Sequence, residues 1–290
     1  MSPEDVMPPM TGGRGGFARF AAQVRSDLSV PLDADFDDGV ATIWLDRPAR
    51  RNALTRAMSE ALLEAMVRAG ADVSVRAVVL GGRGGTFCAG DDVATVDDWR
   101  RGDCAEAPFD RLTHDAHYLR VCEEMLHLAK PVVAVLTGAT AGAGTELACA
   151  ADYRLSARSA KVGSRLLAVG HVGNVVLMSR VVGPSRATEI YLTGRMVEAD
   201  EAACIGLVDR VVDDTEVSRV ATELGHQFAA LATGAIALFK DLRERSWGQP
   251  AVYGLRMQDS CHMRTHDTVA DAAIGIEAFT RRATPVFTGR

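Results

Sequence analysis

Apolar positions recur along the chain at two spacings, one helical and one extended. Phe17, Phe20, Ala21, Val24 and Leu28 follow a helical period, which predicts a short amphipathic helix over residues 17–28 added to the main fold. Val40-Ala-Thr-Ile-Trp-Leu45 reads as a strand, Arg47-Pro48 as a turn, and residues 59–70 as a helix with Met58, Leu62 and Met66 on one face. Residues 75–80 form a buried strand pattern that runs into Gly81-Gly-Arg-Gly-Gly85, a loop able to turn sharply and approach a ligand. Residues 95–118 are polar and irregular, as in a variable surface loop, and a helix over 118–128 ends at Lys130-Pro131. A second buried strand, 131–136, leads through the small-residue stretch Gly142-Ala-Gly-Thr-Glu146 into a helix over 147–151. Strand, small-residue loop and helix alternate twice, so the expected class is α/β. Beyond about Glu216 helical patterns dominate. The expected division is a flexible extension with one short helix (1–30), an α/β core (31–215) and a helical section (216–290).

Composition narrows the partners. The chain has 290 residues, enough for a substantial core, and its apolar 48% contains no run long enough to cross a bilayer. A net charge of −6 disfavours nucleic acid, which requires a basic surface. The six cysteines show no C-x-x-C pair or regular framework, which predicts reduced thiols. The first sixteen residues lack the basic start and apolar stretch of a secretory signal, so a cytoplasmic location is expected.

The two strand-to-helix junctions carry the chemistry. The first turn of a helix presents unpaired N–H groups and the positive end of the helix dipole, and both favour developing negative charge. The enolate of a thioester places such charge on its carbonyl oxygen. Two junctions can supply two donors.

The motifs at these junctions resemble the crotonase superfamily, also called the enoyl-CoA hydratase/isomerase family, over about residues 35–290. Leu45-Asp-Arg-Pro-Ala-Arg-Arg-Asn-Ala-Leu54 is similar to its opening strand and turn, and Gly84-Gly-Thr-Phe-Cys-Ala-Gly-Asp-Asp-Val93 to its first oxyanion loop. Lys130-Pro-Val-Val-Ala-Val-Leu-Thr-Gly-Ala-Thr-Ala-Gly-Ala-Gly-Thr-Glu146 is similar to the second. Leu192-Thr-Gly-Arg195, Ala202-Ala-Cys-Ile-Gly-Leu-Val208 and Gly275-Ile-Glu-Ala-Phe-Thr-Arg-Arg282 follow in the family order. The resemblance implies an α/β, crotonase-like spiral of ββα turns with a helical C-terminal section, assembled as a homotrimer or hexamer. It implies an acyl-coenzyme A thioester as substrate, without a prosthetic group.

Carried over by position, the resemblance implies an oxyanion hole made by the backbone N–H groups of Asp91 and Ala143. Ala89, Gly90, Gly142 and Leu166 would surround the bound thioester. The family often has Ala and Gly at the two donor positions, so the Asp91 carboxylate is expected to point away from the oxyanion or to repel it. Ala143 fits only if its backbone angles suit an L-residue. Glu146 stands where hydratases of this family carry one of two catalytic glutamates, as general acid/base. The second would fall in Val162-Gly-Ser-Arg-Leu166, and Leu166 cannot transfer a proton. His171 could act as a base and Asn174 as a hydrogen-bonding group nearby. For the coenzyme A phosphates and adenine the candidates are Arg50 and Arg51, and Phe279 with Arg282, with Arg281 beside it.

The missing glutamate leaves isomerisation, dehydration, decarboxylation and thioester hydrolysis open beside hydration, and also acyl-thioester binding without turnover. His114-x-x-His117 and His262-x-x-x-His266 have helical ligand spacing without an adjacent Cys or acidic motif, so no metal site is expected. Gly183-Pro-Ser-Arg-Ala187 lacks the closing glycine of a nucleophile elbow, and its Pro-Ser more naturally starts a helix.

Overall fold

The strand runs assemble around a mostly parallel sheet in a computed structural model that describes residues 14–27, 30–103 and 117–289. The strands are β1 (Leu32–Asp37), β2 (Val40–Leu45), β3 (Ala77–Gly82), β4 (Val132–Leu136), β5 (Ala139–Ala141), β6 (Tyr153–Ala157), β7 (Lys161–Gly163), β8 (Met196–Glu198) and β9 (Arg210–Val212). The main sheet has the order β1-β2-β3-β4-β6-β9, and β5-β7-β8 form a small second sheet. The helices of the first half are α1 (Gly16–Ser26), α2 (Arg56–Ala71), α3 (Val93–Arg101), α4 (His117–His127) and α5 (Ala143–Ala150). They are followed by α6 (Val176–Val182), α7 (Pro184–Thr193), α8 (Ala199–Cys204), α9 (Val217–Ala229), α10 (Thr233–Ser246), α11 (Ala251–Thr268) and α12 (Ala270–Arg281). Among the described residues no helix is long and apolar enough to cross a membrane.

Side-chain alternation along β3 and β4 decides which helices cover which face. Val78, Leu80, Val132, Ala134 and Leu136 join the larger core with Met58, Leu62, Val121, Met125 and Leu147 from α2, α4 and α5. Their neighbours Ala77, Val79, Val133 and Val135 face the other way, onto Val217, Val220, Ala221 and Leu224 of α9. Both faces are buried, which is why the two strands read as unbroken apolar runs rather than alternating ones.

Three boundaries differ from the expectations. Helix α2 begins at Arg56 because Thr55 caps it, its hydroxyl accepting the Met58 N–H at 3.2 Å. Part of the stretch expected to be an irregular loop is instead α3, capped by Asp92 through the Ala94 N–H at 3.2 Å. No α3 residue is buried, so the segment has no apolar stripe by which a helix could be recognised. β1 also escapes the pattern, since its outward positions are occupied by aspartates while Leu32 and Ala34 face the core. It pairs antiparallel with β2 across the two-residue turn Asp38-Gly39, both at positive φ.

Helix α1 packs Phe17, Phe20, Ala21 and Val24 into the core, and its Phe17 N–H donates to Asp72 at 2.7 Å. The expected helix end at Leu28, residues 1–13 and residues 104–116, including His114, lie outside the described residues. At the other terminus Asp271 accepts the N–H groups of Thr288 and Gly289, each at 2.7 Å, which ties the tail to α12.

Candidate active site

β3 and β4 lie side by side in parallel register, so the loops that leave them emerge together. Backbone bonds lace the two loops: Phe87 N–H to Thr137 at 2.8 Å, Cys88 N–H to Ala139 at 3.4 Å and Ala141 N–H to Cys88 at 3.1 Å. Gly144 permits this approach, because a Cβ there would stand 2.8 Å from the Cβ of Cys88. On its other side the first loop pairs with residues 51–54. Ala89 N–H donates to Arg51 at 3.0 Å, Leu54 N–H to Gly90 at 2.8 Å and Asp92 N–H to Leu54 at 2.9 Å. Asn52 fastens the turn from within, giving its amide N–H to the carbonyls of Arg83 and Thr86 and accepting the Arg47 N–H.

This parallel ladder passes over Asp91. Its N–H donates to no other described residue, and the same holds for the N–H of Ala143. Gly142 takes the unusual backbone angles (φ 53°, ψ −122°), so Ala143 can open α5 in ordinary helical geometry. A Cβ on Gly90 would stand 3.6 Å from the Ala143 nitrogen, which measures how closely the two loops oppose each other.

A cavity of about 290 Å³ opens here. Its lining comes from Gly90, Asp91 and Gly142, from residues 165–172, and from the first turns of α2, α3 and α4. Leu166 packs 3.5 Å from the position of a Cβ on Gly142, so an apolar side chain covers that peptide. His171 lines the same cavity and is exposed, its carbonyl accepting the Tyr191 hydroxyl at 3.0 Å.

Glu146, one turn after Ala143, is 6% exposed. Its carboxylate accepts the Asn174 N–H at 2.6 Å, while the Asn174 amide donates to the Gly142 carbonyl at 2.8 Å. Asn174 therefore joins the acid to the peptide that precedes the Ala143 donor. Burial pushes the Glu146 pKa up, with the bonds from Asn174 pulling the other way. Tyr118 lines the cavity between two acids: burial raises its pKa, and Asp91 and Glu146 raise it further.

Asp91 also lines this cavity. Burial pushes its carboxyl up to about 6, against the influence of His171 and of its own backbone N–H. The sequence reading weighed His117 only as a metal ligand; it is 6% exposed, lines the cavity and has no partner at Nε2 among the described residues. The same reading missed Tyr118, Arg165 and the latch at Asn52, although an Asn in a Pro-initiated turn is a recognisable signal.

Other candidates lie apart. Arg50 and Arg51 are exposed beside the cavity loops, Arg51 meeting them through its carbonyl. Phe279, 86% exposed, and Arg282 stand at the end of α12 and do not line the cavity of this chain. Arg281 pairs with Glu277 at 2.7 Å. His262 and His266 pack edge to face on α11 with ring centres 5.2 Å apart. Among the described residues no three metal-ligating side chains cluster.

Residues 35–290 match the family model described as enoyl-CoA hydratase/isomerase. The chain is 32% identical to the carnitinyl-CoA dehydratase of Salmonella typhi, covering 91% of this chain and 100% of that protein. It is 30% identical to the 1,2-epoxyphenylacetyl-CoA isomerase of Escherichia coli, covering 88% and 97%. The crystal structure of an enoyl-CoA hydratase from Mycobacterium smegmatis is similar at a TM-score of 0.78 and 31% identity, covering 88% of this chain and 98% of that one.

Proposed function

The chain belongs to the enoyl-CoA hydratase/isomerase family, and on that premise we propose that it processes acyl-coenzyme A by holding a thioester enolate between the N–H groups of Asp91 and Ala143. The observation that carries this reading is the pair of donors without acceptors, set on two interlaced loops beside one cavity. Each well-aimed donor of this kind is worth roughly 2.7–4 kcal/mol in a transition state.

The reaction favoured is of the hydratase/dehydratase type, with Glu146 as general acid/base. Its carboxylate takes a proton from water as the water oxygen bonds the β carbon, and the π electrons move to the thioester oxygen. Protonated Glu146 then gives that proton to the α carbon as the enolate collapses to the thioester, and the reverse sequence expels water. Burial raises the proton affinity of Glu146, which strengthens it as a base and suits it to take and return a proton. Asn174 positions it. Coenzyme A enters as part of the substrate, and the chain carries no prosthetic group in this reading.

Arg50, Arg51, Phe279 and Arg282 are proposed to meet the nucleotide end of coenzyme A, the last two across a subunit boundary. Exposed Val172, Val176, Tyr253, Leu255 and Phe279 support a homotrimer or hexamer, since apolar surface of this kind favours association. Leu166 favours a second reading in which one carboxylate suffices, as in double-bond isomerisation, decarboxylation or thioester hydrolysis.

The test is mass spectrometry of enoyl-, 3-hydroxyacyl- and malonyl-type coenzyme A thioesters incubated with the protein, with Glu146→Gln as control. Gain or loss of water supports the first reading. Loss of CO2, free coenzyme A or a chromatographically resolved isomer supports the second. Binding without any product points to a non-catalytic acyl-thioester binder, and absence of binding across the panel overturns the coenzyme A assignment.

A further inference from the structure

A scheme built on Glu146 alone leaves the carboxyl of Asp91, which lines the cavity, unused. Asp91 lines the cavity beside Gly90 and Gly142, and its side chain and its donor N–H belong to the same residue. Position 166, also on the cavity, is an apolar leucine. Among the described residues no Lys or Arg forms an ion pair with Asp91, whereas the adjacent Asp92 is committed to Arg47 at 2.6 Å.

The titratable and charged groups that share the cavity with Asp91 come from three elements. His171 lies on the 165–172 segment, with Arg165 at its start; His117 and Tyr118 come from α4 and Arg56 from α2. Asp91 and Glu146 both act on Tyr118, and Asp91 acts on the buried Cys88 of the same loop. Of these, His171 is the group that draws Asp91 toward ionisation. An ionised carboxylate beside an enolate oxygen opposes its formation through like-charge repulsion, while a neutral carboxyl does not.

We propose that the Asp91 carboxyl is the second proton-transfer group of this site, taking the place of the carboxylate absent at Leu166 and exchanging its proton with the α carbon of the bound thioester. The proposal rests on the acyl-thioester reading above. In the addition of water, Glu146 takes one proton from the water whose oxygen bonds the β carbon, and the π pair moves to the thioester oxygen. As the oxygen pair re-forms the carbonyl, the enolate C=C pair takes the proton of neutral Asp91 to make the α C–H bond, which leaves Asp91 ionised and Glu146 protonated. Return of one proton from Glu146 to Asp91 through solvent restores the site, so the net change is one added water. In reverse, the Asp91 carboxylate removes the α proton. With its proton affinity pushed up to about 6 by burial, Asp91 populates both forms around neutrality.

The test follows α-proton exchange in D2O with butyryl-CoA, which has no β leaving group and no double bond to hydrate. In the wild type, deuterium enters the α position, with a rate that rises with pH through the Asp91 titration. Asp91→Asn keeps the backbone donor and lowers exchange at least 100-fold. A second measurement uses acetoacetyl-CoA, whose enolate is read by near-ultraviolet absorbance. At pH 8 Asp91→Asn binds the enolate at least tenfold more tightly than wild type, and at pH 5 the two are equal.

Exchange that survives in Asp91→Asn within tenfold of the wild type overturns the proposal, as does a wild type that binds butyryl-CoA without exchange. Should Asp91→Asn fail to fold, the wild-type pH dependence of exchange and of enolate binding decides, and pH-independent behaviour in both overturns it. If neither thioester binds the wild type, the acyl-thioester reading fails instead.

Discussion

Two buried polar regions of this protein are built on opposite rules. At the amino end of β4, Lys130 donates its ammonium to the carbonyls of Ala69 and Asp72. Lys240 bridges the carbonyls of Met125 and Lys130 and the carboxylate of Asp152, which also receives Arg243 at 2.9 Å. At the carboxyl ends of β3 and β4 the N–H groups of Asp91 and Ala143, Nε2 of His117 and Oδ1 of Asn174 lack protein partners among the described residues. Buried polar groups are ordinarily satisfied, so a concentration of idle ones beside a cavity marks where a ligand completes the structure. The lysine layer serves the fold alone.

The sharpest way to break this contrast is Glu146→Gln. It is expected to lower kcat about 10³-fold or more, equivalent to about 4 kcal/mol, with ligand affinity and Tm preserved. Steady-state kinetics, calorimetric binding and thermal unfolding check the three parts, and a lost fold would place Glu146 with the structural charges. Lys130→Met should do the reverse. Orphaning two buried carbonyls is expected to cost about 3 kcal/mol of stability by chemical denaturation, with affinity for acyl-CoA unchanged in the folded protein.

Asn174→Ala sharpens the comparison by releasing the amide that spans Glu146 and Gly142. The expected loss is about 10–100-fold in kcat, or about 1.4–2.7 kcal/mol, with a smaller change in KM. Asp72 tests the structural side by pH. Burial acts to raise its pKa, but the Ser74 hydroxyl and the Phe17 and Ser74 N–H groups outweigh it and hold the carboxyl below its ordinary value. The folded state therefore binds fewer protons than the unfolded one on the acid side. The Asp72 contribution is present above the ordinary carboxylate range and is lost as pH falls through the lowered folded value. Asp72→Asn should flatten that acid slope and cost about 1 kcal/mol at pH 7, read by denaturation across pH.

These differences also explain what could be read from the chain alone. β3 and β4 were legible because burial on both faces leaves only apolar side chains, and the glycine-rich stretches after them marked the two donor loops. α5 was placed too late, since Ala143-Gly-Thr carries no apolar period and the helix start is fixed by Gly142 and the carbonyl it offers to Thr145 and Glu146. The proton affinity of the Asp91 carboxyl was not legible, because it follows from burial, opposed by His171, which is eighty residues away in the chain. The Glu146–Asn174 bond joins residues 28 apart and exists only once residues 165–174 fold back over the helix start. Asn174 was visible as a candidate, but its place as the link between acid and donor peptide was not.

The donors at positions 91 and 143 belong to the main chain, which gives the site an unusual mutational character. A side-chain substitution at either position alters size, charge or proton exchange but leaves the N–H in place; only proline deletes it. Variation can therefore reshape the walls of the cavity, and with them the choice of acyl group, while the polarising centre is inherited with the backbone itself.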